Sequence, residues 1–180
     1  MPCGTTGESA TLSHEEHLEV IRTVVQQAAG RVPVVAGVGT NDTGETLRLL
    51  SAAEEIDLQG YLVVCPYYNR PSQEGIVEHF RAVSEVTEKP IVLYNIPLRT
   101  GRNIDVDTVV TLSKIPNIVG IKDASADINQ TMDIIYRTSD FAVLSGEDHL
   151  LFSISCLGGK GGLMASAHVL PGEFLKLYLA

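Results

Sequence analysis

No stretch of this 180-residue sequence stays apolar for long. Crossing a bilayer takes about 20 consecutive apolar residues, whereas runs such as residues 32–38 and 91–93 end in Gly, Pro or polar side chains. The N-terminus lacks the basic and apolar regions of a signal peptide. Basic residues are scarce: 13 Lys and Arg face 22 Asp and Glu, a formal net charge of -9. That balance argues against non-specific binding to nucleic acid or to an anionic membrane surface. Cysteine is also sparse. Cys3, Cys65 and Cys156 are far apart and odd in number, so they are expected to be reduced and buried in a cytoplasmic protein. No linker, low-complexity stretch or charge block divides the chain, which reads as a single domain over residues 1–180. A Rossmann fingerprint is missing, because Asp42 stands where Gly37-Val38-Gly39 would need its third glycine, and no Walker A motif occurs.

What the chain does have is a rhythm. Short apolar runs at residues 32–38, 60–65, 91–94, 118–121 and 141–144, with a weaker glycine-rich one at 161–165, each give way to a longer amphipathic segment. The runs do not alternate polar with apolar, as expected of strands covered on both faces. Between them, helices are predicted over residues 43–55, 73–88, 105–114 and 127–138. The first helix is announced by Ser13-His14-Glu15-Glu16, a capping box, and by the stripe Leu18, Ile21, Val24 and Val25. Asp127 is the best cap for the helix at 127–138. Alternating β and α segments at these spacings imply parallel strands with right-handed crossovers. An open doubly wound sheet and a closed barrel both fit. The barrel is favoured because polar, motif-like residues follow nearly every strand, and barrels collect their sites from many strand ends.

Lys122 closes the run Ile118-Val119-Gly120-Ile121. A lysine at the mouth of a parallel strand is either a snorkelling surface charge or a desolvated amine. In the second case its pKa falls below the usual value of about 10.4 and it becomes a nucleophile towards a carbonyl. Tyr94 ends the preceding strand run and would stand one strand away, where a phenol can relay protons. Arg99 follows in the next loop and suits a carboxylate. The small-residue loop Gly4-Thr5-Thr6-Gly7-Glu8-Ser9 offers amides and hydroxyls to an anion. In Pro66-Tyr67-Tyr68-Asn69-Arg70-Pro71 the adjacent tyrosines cannot face the same way, so one can line the cavity while the other packs elsewhere or crosses a subunit contact. His14 and His17 share a helix face without a third ligand and read as surface histidines. Lys160, between glycines, is a rival nucleophile expected to be solvated.

These motifs, with Tyr94-Asn95-Ile96-Pro97, Arg99-Thr100-Gly101, Gly120-Ile121-Lys122-Asp123, Leu144-Ser145-Gly146-Glu147-Asp148 and Leu157-Gly158-Gly159, run in order along essentially the whole chain. Together they resemble the dihydrodipicolinate synthase (4-hydroxy-tetrahydrodipicolinate synthase) family of pyruvate-handling class I aldolases. The resemblance implies a (β/α)8 TIM barrel. It implies that Lys122 forms an imine with pyruvate, whose enamine attacks L-aspartate 4-semialdehyde. Tyr94, Thr5 and Tyr68 would form the proton relay, Tyr68 coming from a neighbouring subunit. Thr6 would hold the pyruvate carboxylate, Arg99 the carboxylate of the second substrate, and Leu163 would line the pyruvate site. No metal and no organic cofactor is implied, because the imine is the electron sink. The family's usual assembly is a homotetramer. His17 and Glu45 fall in regions where family allosteric sites occur. The alternatives are a 2-keto sugar-acid lyase of the same superfamily and an inactive fragment or non-enzymatic paralogue.

A complete (β/α) barrel has about 250 residues. The threonine loop here begins at residue 4, and residues 171–180 only start a helix. The expectation is therefore an incomplete barrel: family strands two to eight, the first a stub, without the family's first strand and C-terminal helical region.

Overall fold

The computed structural model of the protein describes residues 1–179. Five parallel strands, β1 (Val35–Gly37), β2 (Gly60–Val64), β3 (Ile91–Asn95), β4 (Ile118–Asp123) and β5 (Ala142–Ser145), lie in strict sequence order. Short segments flank both edges. The Gly37 amide donates to the Pro2 carbonyl at 3.0 Å, so residues 1–3 run beside β1, but they form no strand where a stub is expected. On the far side Gly162 bridges Ser145 in parallel, and the Leu163 amide donates to the Ser145 carbonyl at 2.9 Å. The glycine-rich run at 161–165 thus makes one bridge where a strand is expected. Gly161, at φ +132°, holds a backbone conformation that side chains rarely adopt.

Eight α-helices accompany the strands: α1 (His14–Ala28), α2 (Thr43–Ala53), α3 (Gln73–Ser84), α4 (Pro97–Thr100), α5 (Val106–Leu112), α6 (Ile128–Arg137), α7 (Leu151–Cys156) and α8 (Pro171–Leu179), among the described residues. Their starts are set by side chains that accept first-turn amides. Ser13 and Glu16 form the expected capping box on α1. Asp42, Ser72 and Asp127 cap α2, α3 and α6. Each such cap contributes about 1 kcal/mol. Helix α3 stops at Ser84, short of the expected 88, because Thr87 turns the chain: its hydroxyl donates to Glu54 and accepts from the Lys89 amide at 3.0 Å. None of these helices is long and apolar enough to cross a membrane.

Sequential strand order decides the architecture. Right-handed crossovers that never reverse direction place every helix on one side of the sheet, and such a sheet curls into a barrel instead of opening at a switch point. The fold is an incomplete (β/α)8 TIM barrel. Two apolar clusters follow from it. The larger lies between sheet and helices and includes Ile21, Leu50, Tyr61, Phe80, Leu93, Leu112, Ile121 and Ile134. The smaller lies on the lumen side, where Leu62, Tyr94 and Ala124 pack with Val64, Val92, Ile96 and Leu163. Successive residues of a strand serve opposite faces: Leu93 and Ile121 join the outer cluster, while Tyr94 joins the inner one.

Two further expectations fail. Cys3 and Cys65 are buried free thiols, but Cys156, at the end of α7, is exposed; its helix turns that position towards solvent. His17 is not a surface histidine. It is 5 % exposed, and its Nε2 bonds the Gly37 carbonyl at 2.7 Å, tying α1 to the strand end. Burial holds its pKa below the ordinary value, against the opposing effect of that hydrogen bond.

Gly120 lies where a Cβ would sit 2.5 Å from the Ala142 carbonyl oxygen. Gly120→Ala is therefore expected to destabilise the fold by about 1–3 kcal/mol through overpacking, read as a lower urea midpoint at unchanged slope.

Candidate active site

The site is built by register. Val64 pairs with Tyr94, Tyr94 with Lys122, and Lys122 with Leu144, so four strands contribute to one row across the C-terminal end of the sheet. Lys122 is 8 % exposed and Tyr94 4 %. The Lys122 Nζ lies 4.0 Å from the centroid of the Tyr94 ring, within cation–π range. Gly146 makes room for the lysine stem, since a Cβ there would meet Lys122 Cε at 3.1 Å and Ala124 Cβ at 2.8 Å. The snorkelling alternative for Lys122 is thereby excluded in this chain.

Burial lowers the Lys122 pKa from its ordinary value, and the charges of Glu147 and Asp148 push it back up. The Tyr94 phenol moves the other way: burial raises its pKa, a hydrogen bond with the Thr5 hydroxyl and the Arg99 charge lower it, and the Glu147 charge adds to the rise. The amine therefore gives up its proton more readily than an exposed lysine, while the phenol holds its own more firmly. That is the pairing a carbonyl addition needs, a nucleophile beside a proton donor.

Thr5 and Thr6 stand together on a single exposed 3-10 turn, Thr5–Gly7, of which Thr5 reaches Tyr94. Arg99 is placed by the one-turn helix α4, with Pro97 in its first turn and Gly101 at φ +72° closing it. Thr5, Val64, Ile96 and Arg99 line a cavity of about 190 Å³ that extends to Tyr67. Leu163 packs against Tyr94 from the last bridge. The tyrosine pair divides as expected: Tyr67 lines the cavity, whereas Tyr68 is 87 % exposed. Its loop is strained, with Tyr68 at φ +70° and Arg70 at φ +50°. Within one chain the fold therefore gathers Lys122, Tyr94, Thr5, Arg99 and Leu163, but leaves Tyr68 facing outward. The rival Lys160 is exposed and lines a different concavity, beside Phe141 and Ala142 at the start of β5.

Reading residue types along the chain undervalued three acidic residues. Glu147 and Asp148 supply the negative field over Lys122. Asp123, 2 % exposed, anchors the end of β4 from the outer face. All three belong to motifs visible in the sequence, and their place at or just after strand ends is the signal. A second cavity, about 170 Å³, adjoins the first and is lined by His14, His17, Asn41, Glu45 and Tyr67.

A buried lysine at the C-terminal mouth of its strands stands where (β/α) barrels place their active sites. The dihydrodipicolinate synthetase family model matches residues 1–180, and the chain belongs to that family. It is 51 % identical over 178 residues to a 4-hydroxy-tetrahydrodipicolinate synthase from Syntrophus aciditrophicus, covering 98 % of this chain and 61 % of the relative. The enzyme of the same name from Methanospirillum hungatei is 46 % identical over 182 residues, with 100 % and 62 % covered. Among solved structures, the dihydrodipicolinate synthase of Aquifex aeolicus superposes with a TM-score of 0.96 at 44 % identity, over 99 % of this chain and 62 % of that one. The Acinetobacter baumannii enzyme, solved complexed with pyruvate, gives 0.94 at 42 %, over 97 % and 60 %. The Cyanidioschyzon merolae enzyme, solved with lysine bound, gives 0.95 at 41 %, over 97 % and 60 %. The chain thus spans about three-fifths of the length of these relatives.

Because the Glu147 charge raises the Lys122 pKa, removing it has a definite sign. Glu147→Gln is expected to move the pH inflection of Lys122 reactivity to lower pH, measured as the rate of acylation of that amine against pH by mass spectrometry. A profile that stays put or moves upward contradicts the assignment.

Proposed function

We propose that Lys122 is an imine-forming nucleophile for pyruvate, in a synthase that condenses pyruvate with L-aspartate 4-semialdehyde to give 4-hydroxy-tetrahydrodipicolinate. The observation that carries this reading is the desolvated Lys122 amine 4.0 Å from the Tyr94 ring. The amine adds to the ketone carbon of pyruvate, and Tyr94, backed by Thr5, protonates the oxygen that leaves as water. The protonated imine draws electrons from the adjacent methyl group, which loses a proton to give an enamine. The enamine carbon attacks the aldehyde, and the amine of the second substrate closes the ring while displacing Lys122. Thr6 anchors the pyruvate carboxylate, Leu163 lines its site, and Arg99 at the cavity mouth receives the carboxylate of the semialdehyde. Tyr68 completes the relay only from a second copy of the chain, because its own subunit turns it to solvent. A homo-oligomer and a reducing cytoplasm belong to the same proposal. A relative solved complexed with pyruvate supports the first substrate; Arg99 favours a semialdehyde bearing a carboxylate over a longer sugar acid.

Borohydride reduction in the presence of pyruvate is expected to add one pyruvate-derived mass to Lys122. Lys122→Ala should abolish the adduct, and Tyr94→Phe should slow it by about 10²- to 10⁴-fold, the usual worth of a general acid–base group. An adduct that survives Lys122→Ala refutes the proposal.

The second cavity supports a regulatory reading. Glu45 there is half-buried and pairs with His14 and Arg48, a setting suited to the ammonium of a basic amino acid, and one relative was solved with lysine bound. L-lysine is expected to raise the melting temperature of the wild type by mass action and to leave that of Glu45→Gln unchanged.

A further inference from the structure

Strand alternation gives adjacent residues of β4 opposite faces. Lys122 points into the lumen, and Asp123 points outward beneath α6. Its carboxylate is 2 % exposed and meets neutral donors from three segments. Oδ1 accepts from Asn95 Nδ2 at 3.0 Å and from the Ser125 amide at 3.2 Å. Oδ2 accepts from Ser125 Oγ at 2.9 Å and from Thr131 Oγ1 at 2.6 Å. Asn95 is itself held, its Oδ1 accepting from the Ile104 amide at 3.0 Å. The Asp123 carbonyl accepts the Gly146 amide at 2.7 Å. One residue therefore ties β3, α6 and the β5 loop to the end of β4. Two of these ties adjoin a lumen contact of Lys122: Asn95 follows Tyr94, and Gly146 lies beside Lys122 Cε.

Burying a carboxylate without a cation is costly unless hydrogen bonds satisfy it fully. An apolar residue would pack the same space against α6 at lower cost. It would also leave the strand end free to slide, because apolar contacts are non-directional whereas these hydrogen bonds hold a narrow geometry.

Resting on the proposed imine chemistry of Lys122, we infer that Asp123 is a positioning residue: it locks the ends of β3 and β4 so that the Lys122 amine and the Tyr94 phenol address one carbonyl together. It touches no substrate. Its effect reaches the reaction through the placement of Lys122, where a displacement of about 1 Å can cost a hundredfold in rate.

Four variants test this: Asp123→Ala, Asp123→Asn, Thr131→Val and Thr131→Ser. Each is compared with the wild type by the rate of pyruvate adduct formation on Lys122 under borohydride, well below the melting temperature, with foldedness checked by near-ultraviolet circular dichroism. Asp123→Asn keeps an acceptor towards Asn95 and Ser125, and its amide can donate to the two hydroxyls; Thr131→Ser keeps the hydroxyl. Both should trap pyruvate within about threefold of the wild type. Asp123→Ala and Thr131→Val should be slower by about ten- to a hundredfold. Thr131→Val is nearly isosteric and carries the test if Asp123→Ala does not fold. A folded Thr131→Val or Asp123→Ala that traps at the wild-type rate overturns the positioning role and leaves Lys122 as nucleophile untouched. A slow Asp123→Asn that is not rescued overturns it equally. Failure of the wild type itself to trap pyruvate overturns the imine reading, and this inference with it.

Discussion

The pairing of β3 with β4 is the constraint on which the site depends. It sets Tyr94 opposite Lys122 in the register, and from that one alignment follow the ring–amine contact, the burial of the amine and the opposed shifts of the two groups. A slip of β4 by one residue would turn Lys122 from the lumen to the helices and part it from Tyr94. The register already absorbs an irregularity between Ile91 and Val92, so the alignment at the C-terminal end is not inherited from the start of the strands. The hydrogen bonds at Asn95 and Asp123 fix it locally.

Much of this fold was legible in the sequence because its signals are local. Caps at Ser13 and Asp127 act within three residues of themselves, and β-branched runs between the helices are recognisable by composition. The barrel itself followed from strand order, which no local signal contains, and needed the recurrence of polar motifs after strands as its warrant. The reading faltered where one side chain's environment is made by distant chain. His17 has the helix position of a surface residue until β1 passes beside it. The glycine run before Leu163 shrank to a bridge because close backbone approach, not strand propensity, shapes that edge.

The same distinction runs through the site. Lys122, Tyr94, Arg99 and the threonine loop announce chemistry by residue type. Glu147 and Asp148 act at a distance through their charge, and their role emerges only when the loop after β5 is laid over the lysine. Tyr68 shows the opposite limit: its residue type suits the lumen, yet its backbone turns it outward.

The two apolar clusters are unequal, and this has a consequence for how such a protein can change. The helix side of the sheet holds nearly all the packing that maintains the fold, while the lumen holds few buried residues and most of the reactive ones. Substitutions on the two faces are therefore judged by different criteria. Those facing the helices are screened by whether the chain still folds. Those facing the lumen are screened by what the mouth can bind, at small cost in stability. A barrel divided in this way can change what its mouth binds by altering alternate residues of its strands, with its scaffold left in place.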